Sequence, residues 1–350
     1  MTRDLIEGAL GSLFDNAVRL PLRSGDRFVV FSDLHMGDGG ARDEFRPNGE
    51  LMQTVLRDYY LARRYALVLN GDIEELQRAS LPSVRSSWRG MYELFSSFGE
   101  RTALFKIVGN HDARLRTDGA TAEGLLDALR LEVRSGTIFL FHGHQATIFF
   151  ERFDWMADFL VRYVAKTLRI ANAPVRYESP KRFVTERRVY EFSARRGILS
   201  VIGHTHRPLF ESLSKIDSLK FSIERLCREY PLASPLARAA IEKAIAACKA
   251  ELKHLQEKDP RNGGRDSLYN ETICIPCLFN SGCAIGKRGV TAIEITAERI
   301  SLVHWYDARR QAQARAVATP ATRLGQTPFH RVILKDDHLP YLFSRVRLLA

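Results

Sequence analysis

The sequence predicts an α/β fold, a two-sheet β-sandwich flanked by helices and carrying helical insertions. Short apolar or β-branched runs alternate with helical patterns along the first part of the chain, which is typical of an α/β core. The final third instead holds strand-like runs in close succession. Two long stretches, 145–197 and 214–258, interrupt the pattern and predict helices. We therefore expect one domain over residues 1–350, with 145–197 as a helical lid and 214–258 as a second helical insertion.

The alternating part starts with an amphipathic helix predicted over residues 4–18, and further helices are predicted around 49–64 and 88–99. The predicted strands are short and apolar, and each ends at turn residues, as buried strands do. These strands are RFVVF (27–31), YALVLN (65–70), TALFKIV (102–108), TIFLFH (137–142) and ILSVIG (198–203).

The final third predicts a second sheet packed on the first. Its strand-like runs, ETICIPCLFN, GVTAIEI and RISLVHWY, resemble the consecutive strands of a meander. Cys274 and Cys277 lie in the first of these runs. Alternation along a strand would point their sulfurs to opposite faces, so we expect buried structural thiols rather than a zinc or redox pair.

The composition is that of a globular protein with an excess of basic residues. Of the 350 residues, 45% are hydrophobic and 27% are charged, which is ample material for a core. The formal net charge of +11 favours anionic partners: phosphates, nucleic acid or an acidic membrane surface. The five cysteines do not predict a disulfide framework, and no apolar run approaches the ~18 residues of a membrane span. The N-terminus does not resemble a secretory signal, so we expect a cytoplasmic protein, with peripheral membrane attachment as an alternative.

Polar clusters follow five of the predicted strands. In open α/β sheets ligands bind outside the carboxyl ends of the strands, so these clusters are expected to converge. Each cluster alone is explained by a hydrogen-bonded turn. Together, carboxylates, an amide and imidazoles are the ligands that a pair of divalent cations requires for phosphoryl displacement. The clusters are Asp33 with His35, Asn70-Gly71-Asp72, Gly109-Asn110-His111-Asp112, His142-Gly143-His144 and Gly203-His204-Thr205-His206.

The order of these motifs, D-x-H, G-D, G-N-H-D, a strand ending in His and G-H-x-H, resembles the calcineurin-like metallophosphoesterases over roughly residues 27 to 306. The resemblance implies the calcineurin-like phosphoesterase fold and hydrolysis of a phosphate ester by a metal-bridging hydroxide. It also implies two divalent metal ions. We expect Mn²⁺ first, with Fe, Zn²⁺ or Co²⁺ as alternatives. The implied ligands are Asp33, His35 and His206 for the first ion, Asn110, His142 and His204 for the second, and Asp72 between them.

The resemblance also implies catalytic roles outside the ligand set. His111 would stabilise the transition state or protonate the leaving oxygen. Glu75 occupies the position of an acid that orients this histidine in relatives, and Asp112 either serves instead or shapes the turn. His144 is expected near the site, as a substrate contact rather than a metal ligand.

The insertion after His142 bears on the substrate. Its position resembles the helical lid of the UDP-diacylglucosamine hydrolases of lipid A synthesis, although His111 stands where those hydrolases carry arginine. The lid combines aromatic and basic residues, which indicate either ordinary core and solvated faces or a grip on a substrate with an apolar part. Arg176, Arg182 and Arg207 are the predicted phosphate contacts.

The leading hypothesis is therefore a metal-dependent phosphoesterase acting on a phosphorylated small molecule or a lipid-linked phosphate. A nuclease of the same superfamily is one alternative, although nucleic acid is not expected as a partner because no strand-tracking module is evident. A membrane-surface protein with a vestigial metal site is the other. The apolar stripe of the 214–258 insertion predicts packing within the chain or a homodimer contact.

Overall fold

The computed structural model describes residues 2–117, 124–147, 180–210, 230–232, 235–258, 275–286, 289–310 and 321–350, with single positions between 219 and 227. The chain divides into two compact units, Met1–Phe210 with Cys277–Ala350 and Glu211–Pro276. Most of the predicted lid lies outside the described residues, whereas the predicted 214–258 insertion falls in the second unit. No helix in the described part of the chain is long and apolar enough to cross a lipid bilayer.

The strands predicted for the alternating part are confirmed to within two residues at each end. In each case a glycine or a predicted ligand follows within two residues of the last strand residue. The strands of the described residues are β1 Val18–Pro21, β2 Arg27–Phe31, β3 Ala66–Asn70, β4 Leu104–Ile107, β5 Leu125–Leu126, β6 Ala128–Val133, β7 Gly136–Phe141, β8 Leu199–Ile202, β9 Leu278–Asn280, β10 Val290–Thr296, β11 Arg299–Asp307, β12 Ala321–Arg323 and β13 Phe329–His338.

These strands form two sheets, which confirms the predicted fold class. One sheet has the order β12-β13-β11-β10-β2-β3-β4-β5; its strands β2 to β5 run parallel, and the other neighbours are antiparallel. The other has the order β1-β6-β7-β8-β9, in which β6 and β7 form the antiparallel pair. The parallel strands of both sheets supply the carboxyl ends at which the polar clusters lie.

The predicted C-terminal meander is wrong in one respect. Strand β9 pairs in parallel with β8, whereas β10 and β11 pair with each other and extend the sheet of β2. The C-terminal strands therefore do not make a separate second sheet. An apolar run predicts a strand, but it does not reveal which sheet edge offers hydrogen-bond partners, and here the chain crosses between sheets after Asn280.

Helices flank the sheets, and the predicted leading helix and the helices near 49–64 and 88–99 are confirmed. In the second unit, the predicted stripe positions Ile241, Ile245 and Cys248 are half-buried on a helix whose other residues are largely exposed. The homodimer contact through that stripe stays a prediction. The helices are α1 Thr2–Asn16, α2 Gly49–Thr54 continued by the π-helix Val55–Leu61, α3 Leu81–Ser87, α4 Arg89–Arg101, α5 Pro180–Arg196, α6 Pro235–Lys258 and α7 Leu339–Leu349.

Cys277 is a buried free thiol immediately before β9, and its Sγ lies 3.6 Å from the carbonyl oxygen of Tyr190. This environment agrees with the predicted structural thiol, and Cys274 lies outside the described residues.

Backbone hydrogen bonds join the loops at the carboxyl ends of the strands. The Asp33 N–H donates to Gly71 O and the His35 N–H to Asp72 O, each over 3.0 Å. On the other sheet, the Gly203 N–H donates to His142 O over 3.0 Å. Within each sheet, two neighbouring loops that carry polar clusters are therefore joined by backbone hydrogen bonds.

Candidate metal centre

Six of the seven predicted metal ligands form two groups. In each group, one ligand atom from every residue lies within 4.8 Å of the others. The seventh predicted ligand, Asn110, has a buried side-chain oxygen without a hydrogen-bond partner. A buried amide oxygen that bonds to nothing in the protein is an acceptor suited to a cation. The first group is Asp33, His35 and His206, and the second is Asp72, His142 and His204.

Asp72 lies between the two groups. Its Oδ2 is 3.1 Å from His142 Nε2 and 3.9 Å from His35 Nε2. Its Oδ1 accepts a hydrogen bond of 2.8 Å from the backbone N–H of His111. One carboxylate oxygen is thus fixed by the backbone, while the other faces ligands of both groups.

The imidazoles turn their Nε2 atoms to this space. His142 Nδ1 lies 2.9 Å from Asn70 O, and a carbonyl oxygen only accepts, so Nδ1 carries a proton and Nε2 is the atom that could bind a cation. His35 Nδ1 likewise donates to Glu75 Oε2 over 2.9 Å, which turns its Nε2 towards His206 Nε2 at 3.2 Å. Without a metal, protons shared between these nitrogens and carboxylates hold the contacts. Divalent metal ions replace such protons when they bind, so the residues fit divalent metal ions.

The ionisable side chains of the site shift one another's pKa values. Burial disfavours a charged His142, but the carboxylates of Asp72 and Asp33 outweigh burial and raise the pKa of His142 to about 10. Burial together with the charge of His142 lowers the pKa of His204 to about 3. Burial opposes ionisation of Asp72, yet His142 and its neighbours hold the pKa of Asp72 well below its usual value. A concentration of shifted pKa values in one cleft is typical of functional sites.

The backbone at the site is strained. Six non-glycine residues of the described chain have positive φ, and five of them are predicted ligands, the sixth being Arg64. Left-handed backbone at a non-glycine residue costs ~1–3 kcal/mol and persists only where the surroundings enforce it. Neither composition nor periodicity reveals this feature. The five ligands are Asp33 at 53°, His35 at 49°, Asp72 at 53°, His204 at 61° and His206 at 56°.

Two motif glycines leave room for ligands from other motifs. A Cβ at Gly109 would lie 2.2 Å from Asp72 Oδ1 and 2.4 Å from Asp72 N. A Cβ at Gly203 would lie 2.5 Å from Asp33 Oδ2. The glycines of G-N-H-D and G-H-T-H are therefore needed because carboxylate ligands occupy the space of a side chain.

His111, Glu75 and His35 form a third group beside the ligands. Glu75 Oε2 accepts from His111 Nδ1 over 2.8 Å and from His35 Nδ1 over 2.9 Å. Burial opposes the negative charge of Glu75, but the hydrogen bonds from the two histidines outweigh burial and lower its pKa to about 2. Burial lowers the pKa of His111, and its hydrogen bond to Glu75 outweighs burial and raises that pKa. One ionised carboxylate thus orients both a predicted ligand and the predicted acid.

Asp112 lies away from this group. Its buried carboxylate accepts backbone N–H groups, from Gly109 over 2.6 Å and from Ile73 over 2.8 Å. Burial raises the pKa of Asp112 to about 7. Of the two acids offered as the partner of His111, Glu75 makes the contact, and Asp112 shapes the turn between the motifs.

The structure describes the side chains of two of the four predicted substrate contacts, His144 and Arg207. The His144 ring centroid is 5.3 Å from that of His142, so His144 lies beside the site as expected. Arg207 Nε donates to Glu186 Oε1 over 3.2 Å, and its predicted phosphate contact stays a prediction. Arg182 is on α5 with a side chain outside the described part, and Arg176 lies outside the described residues.

Sequence reasoning missed Glu186. It belongs to a charged helix, where a glutamate gives no local signal of burial, yet its side chain is 0% exposed.

Comparison with known proteins shows the family of the chain. A family model described as calcineurin-like phosphoesterase matches residues 26–208, just over half of the chain. The chain belongs to this family and is a metal-dependent hydrolase, so divalent metal ions are implied for the site. Among solved structures, it is similar to a dimetal phosphatase from Danio rerio, with 12% identity, 80% of this chain and 96% of that chain covered, and a TM-score of 0.35. No curated protein matches the chain.

Proposed function

We propose that the protein is a dinuclear metal-dependent phosphoesterase that hydrolyses a phosphate ester or pyrophosphate bond. The observation that supports this most directly is the position of Asp72 between two ligand groups, with Oδ2 3.1 Å from His142 Nε2 and 3.9 Å from His35 Nε2. Mixed nitrogen and oxygen ligands suit Mn²⁺, which we propose first, as well as Fe, Zn²⁺ and Co²⁺. All seven positions of the ligand set are filled by competent side chains, which argues against a vestigial site.

The ligands divide into two sets that share Asp72. When bound, two divalent cations make hydroxide available from water at neutral pH and polarise the phosphoryl oxygens. The protein's own part is to hold the donor atoms at fixed positions, through the strained loops and the backbone hydrogen bonds described above. The proposed sets are Asp33, His35 and His206 for one ion, and Asn110, His142 and His204 for the other.

His111 is the proposed general acid. Its Nδ1 is bonded to Glu75 over 2.8 Å, so Nε2 is the ring atom left to give a proton to the leaving oxygen. The negative charge of Glu75 favours the protonated imidazole, which keeps that proton available.

A cavity of about 580 Å³ between helix α1 and strands β1, β5 and β6 is the proposed place for an apolar part of the substrate. Its lining includes Leu13, Val18 and Leu126, and also Gln145. The side-chain oxygen of Gln145 accepts the backbone N–H of Gly143 over 3.0 Å, which joins this cavity to the loop that follows His142. Lipid-linked phosphates, such as those of the UDP-diacylglucosamine hydrolase branch, therefore remain the proposed finer class.

Two assays test this function. In the first, the metal-stripped protein is given Mn²⁺ and then p-nitrophenyl phosphate, its bis-ester or pyrophosphate. We expect metal-dependent hydrolysis of at least one of these substrates. The rate of that hydrolysis should be at least about 100-fold lower in Asp72→Asn. Absence of hydrolysis with every substrate, in protein that has taken up Mn²⁺, would contradict the proposal. For the apolar part, kcat/KM on alkyl phosphates is expected to rise about fourfold per buried methylene, and less in Leu13→Asn.

The nuclease alternative predicts a different outcome. Binding to DNA that weakens steeply with salt, together with cleavage of its diester bonds, would favour it.

A further inference from the structure

The loop Gly203-His204-Thr205-His206-Arg207 has two faces that alternate along the chain. His204 and His206 face the ligand groups. The residues between and beside them bond to the scaffold instead. This alternation places every second residue of the loop in a supporting role.

The supporting contacts form one buried chain of hydrogen bonds. Asn280 Nδ2 donates to Gly203 O over 2.9 Å and to Thr205 Oγ1 over 2.8 Å. The Thr205 hydroxyl donates in turn to Glu186 Oε1 over 2.7 Å. Arg207 Nε donates to the same oxygen over 3.2 Å, and its terminal nitrogen pairs with Glu186 Oε2.

Glu186 is the charged centre of this chain. Glu186 and Asn280 are 0% exposed and Thr205 is 2% exposed, so water does not compete for these bonds. A buried carboxylate is costly unless it is fully hydrogen-bonded, and the two residues that flank His206 supply its bonds. Displacing either partner would remove a hydrogen bond from the buried carboxylate, which resists movement of the loop.

The loop needs such support because of its backbone. His204 and His206 have φ values of 61° and 56°, a conformation that non-glycine residues rarely adopt. Strain of this kind persists only where surrounding contacts enforce it. Glu186 bonds to both neighbours of His206 and is therefore placed to hold the strained backbone of the loop.

We propose that Glu186 is a positioning residue that holds His204 and His206 in metal-binding geometry through Thr205 and Arg207. This inference rests on the proposed function, in which both histidines are metal ligands. Residues that orient metal ligands typically change metal affinity by about 10–100-fold when they are removed. Glu186 acts from helix α5, through its bonds to Thr205 and Arg207.

The test measures Mn²⁺ affinity of the whole metal-stripped protein by calorimetric titration, with circular dichroism to verify folding. Glu186→Gln and Thr205→Val are expected to bind Mn²⁺ about 10–100-fold more weakly. Thr205→Ser, which keeps the hydroxyl, is expected to stay within about threefold of wild type. The control is Glu7→Gln. It removes an exposed ion pair between Glu7 of α1 and Arg195 of α5, the helix that carries Glu186, and should leave the Mn²⁺ affinity unchanged.

A kinetic readout separates positioning from a general loss of structure. Hydrolysis of p-nitrophenyl phosphate by Thr205→Val should be weak at limiting Mn²⁺, and kcat should recover towards wild type as Mn²⁺ is raised. If Glu186→Gln does not fold, the Mn²⁺ affinities of Thr205→Val and Thr205→Ser still test the inference.

Mn²⁺ binding by both Glu186→Gln and Thr205→Val within about threefold of wild type would overturn this inference alone. An equal loss in Glu7→Gln would also overturn it, because the effect would not be specific to the loop. Wild-type protein that takes up no Mn²⁺ and hydrolyses nothing would overturn the proposed function and this inference with it.

Discussion

Alanine at position 109 is expected to damage the metal centre from a residue that binds no metal. The added Cβ would lie 2.2 Å from Asp72 Oδ1 and 2.4 Å from Asp72 N, whereas ordinary contacts begin near 3.4 Å. Because one of the two atoms belongs to the backbone, Asp72 cannot escape by rotating its side chain. Asp72 or the loop of Gly109 must therefore move by about 1 Å.

The size of the effect follows from that displacement. Overpacking a tight site costs ~1–3 kcal/mol of stability. A misplacement of ~1 Å at a reacting centre costs ~10²-fold in rate. Gly109→Ala should therefore fold with reduced stability, bind Mn²⁺ more weakly and lose ~10²-fold in kcat/KM on p-nitrophenyl phosphate.

Gly99→Ala is the matched control. Gly99 lies in helix α4, and a Cβ there meets nothing within 4 Å. Alanine should stabilise the helix by up to ~1 kcal/mol and leave kcat/KM unchanged. The assays are thermal unfolding, Mn²⁺ titration and steady-state hydrolysis. Equal Mn²⁺ affinity and equal kcat/KM in the two variants would refute the reasoning.

Four further results are expected. Glu75→Gln should lower kcat by roughly 10²-fold, because a neutral amide removes the negative charge that favours protonated His111 and is a weaker acceptor for both histidines; unchanged kcat would contradict this. The alkaline fall of its pH–rate profile should move to lower pH, because the pKa of His111, raised by Glu75, drops when that charge is removed, and hydrolysis needs the protonated ring. In metal-free protein, Glu75, with a pKa of about 2 against an ordinary 4.5, stabilises the fold above pH 4.5 and loses that contribution as pH falls towards 2. Acid titrations of stability should show this loss in wild type but not in Glu75→Gln. Mn²⁺ at about 100 times its Kd should stabilise the protein by about 2.7 kcal/mol, a shift that EDTA reverses; an unshifted Tm would exclude native-state binding.

Much of the fold could be predicted because local and global signals agree. Strand β2 is an apolar run that ends at Phe31, two residues before Asp33, and its predicted bounds match the structure. The sheet to which β9 belongs could not be predicted in this way. Strand β9 and strand β10 are both apolar, and only tertiary pairing sends one to β8 and the other to β2.

The candidate site, too, could be predicted only in part. Asp33, His35 and the other predicted ligands stand in short motifs at strand ends, so the sequence brings them to one edge. Glu186 was missed because its partners Thr205 and Arg207 meet it only in the folded chain. The choice between Glu75 and Asp112 also required the structure, since both are acids next to motif residues and only Glu75 contacts His111.

The strain at the ligands could not be foreseen either. The motifs D-x-H and H-x-H do not predict a positive φ. Aspartate and histidine adopt the left-handed conformation here because tertiary contacts hold their backbones in it. His35 at 49° and His206 at 56° show that the fold enforces this backbone on both ligand loops.

The central claim, that one cleft holds two cations on either side of Asp72, is tested most directly by anomalous diffraction at the manganese edge, with elemental analysis of the same protein. We expect two Mn²⁺ per chain, about 3.5–4 Å apart, and the loss of at least one in Asp72→Asn. A cleft that takes up no divalent ion, or an Asp72→Asn variant that keeps both, would contradict the account.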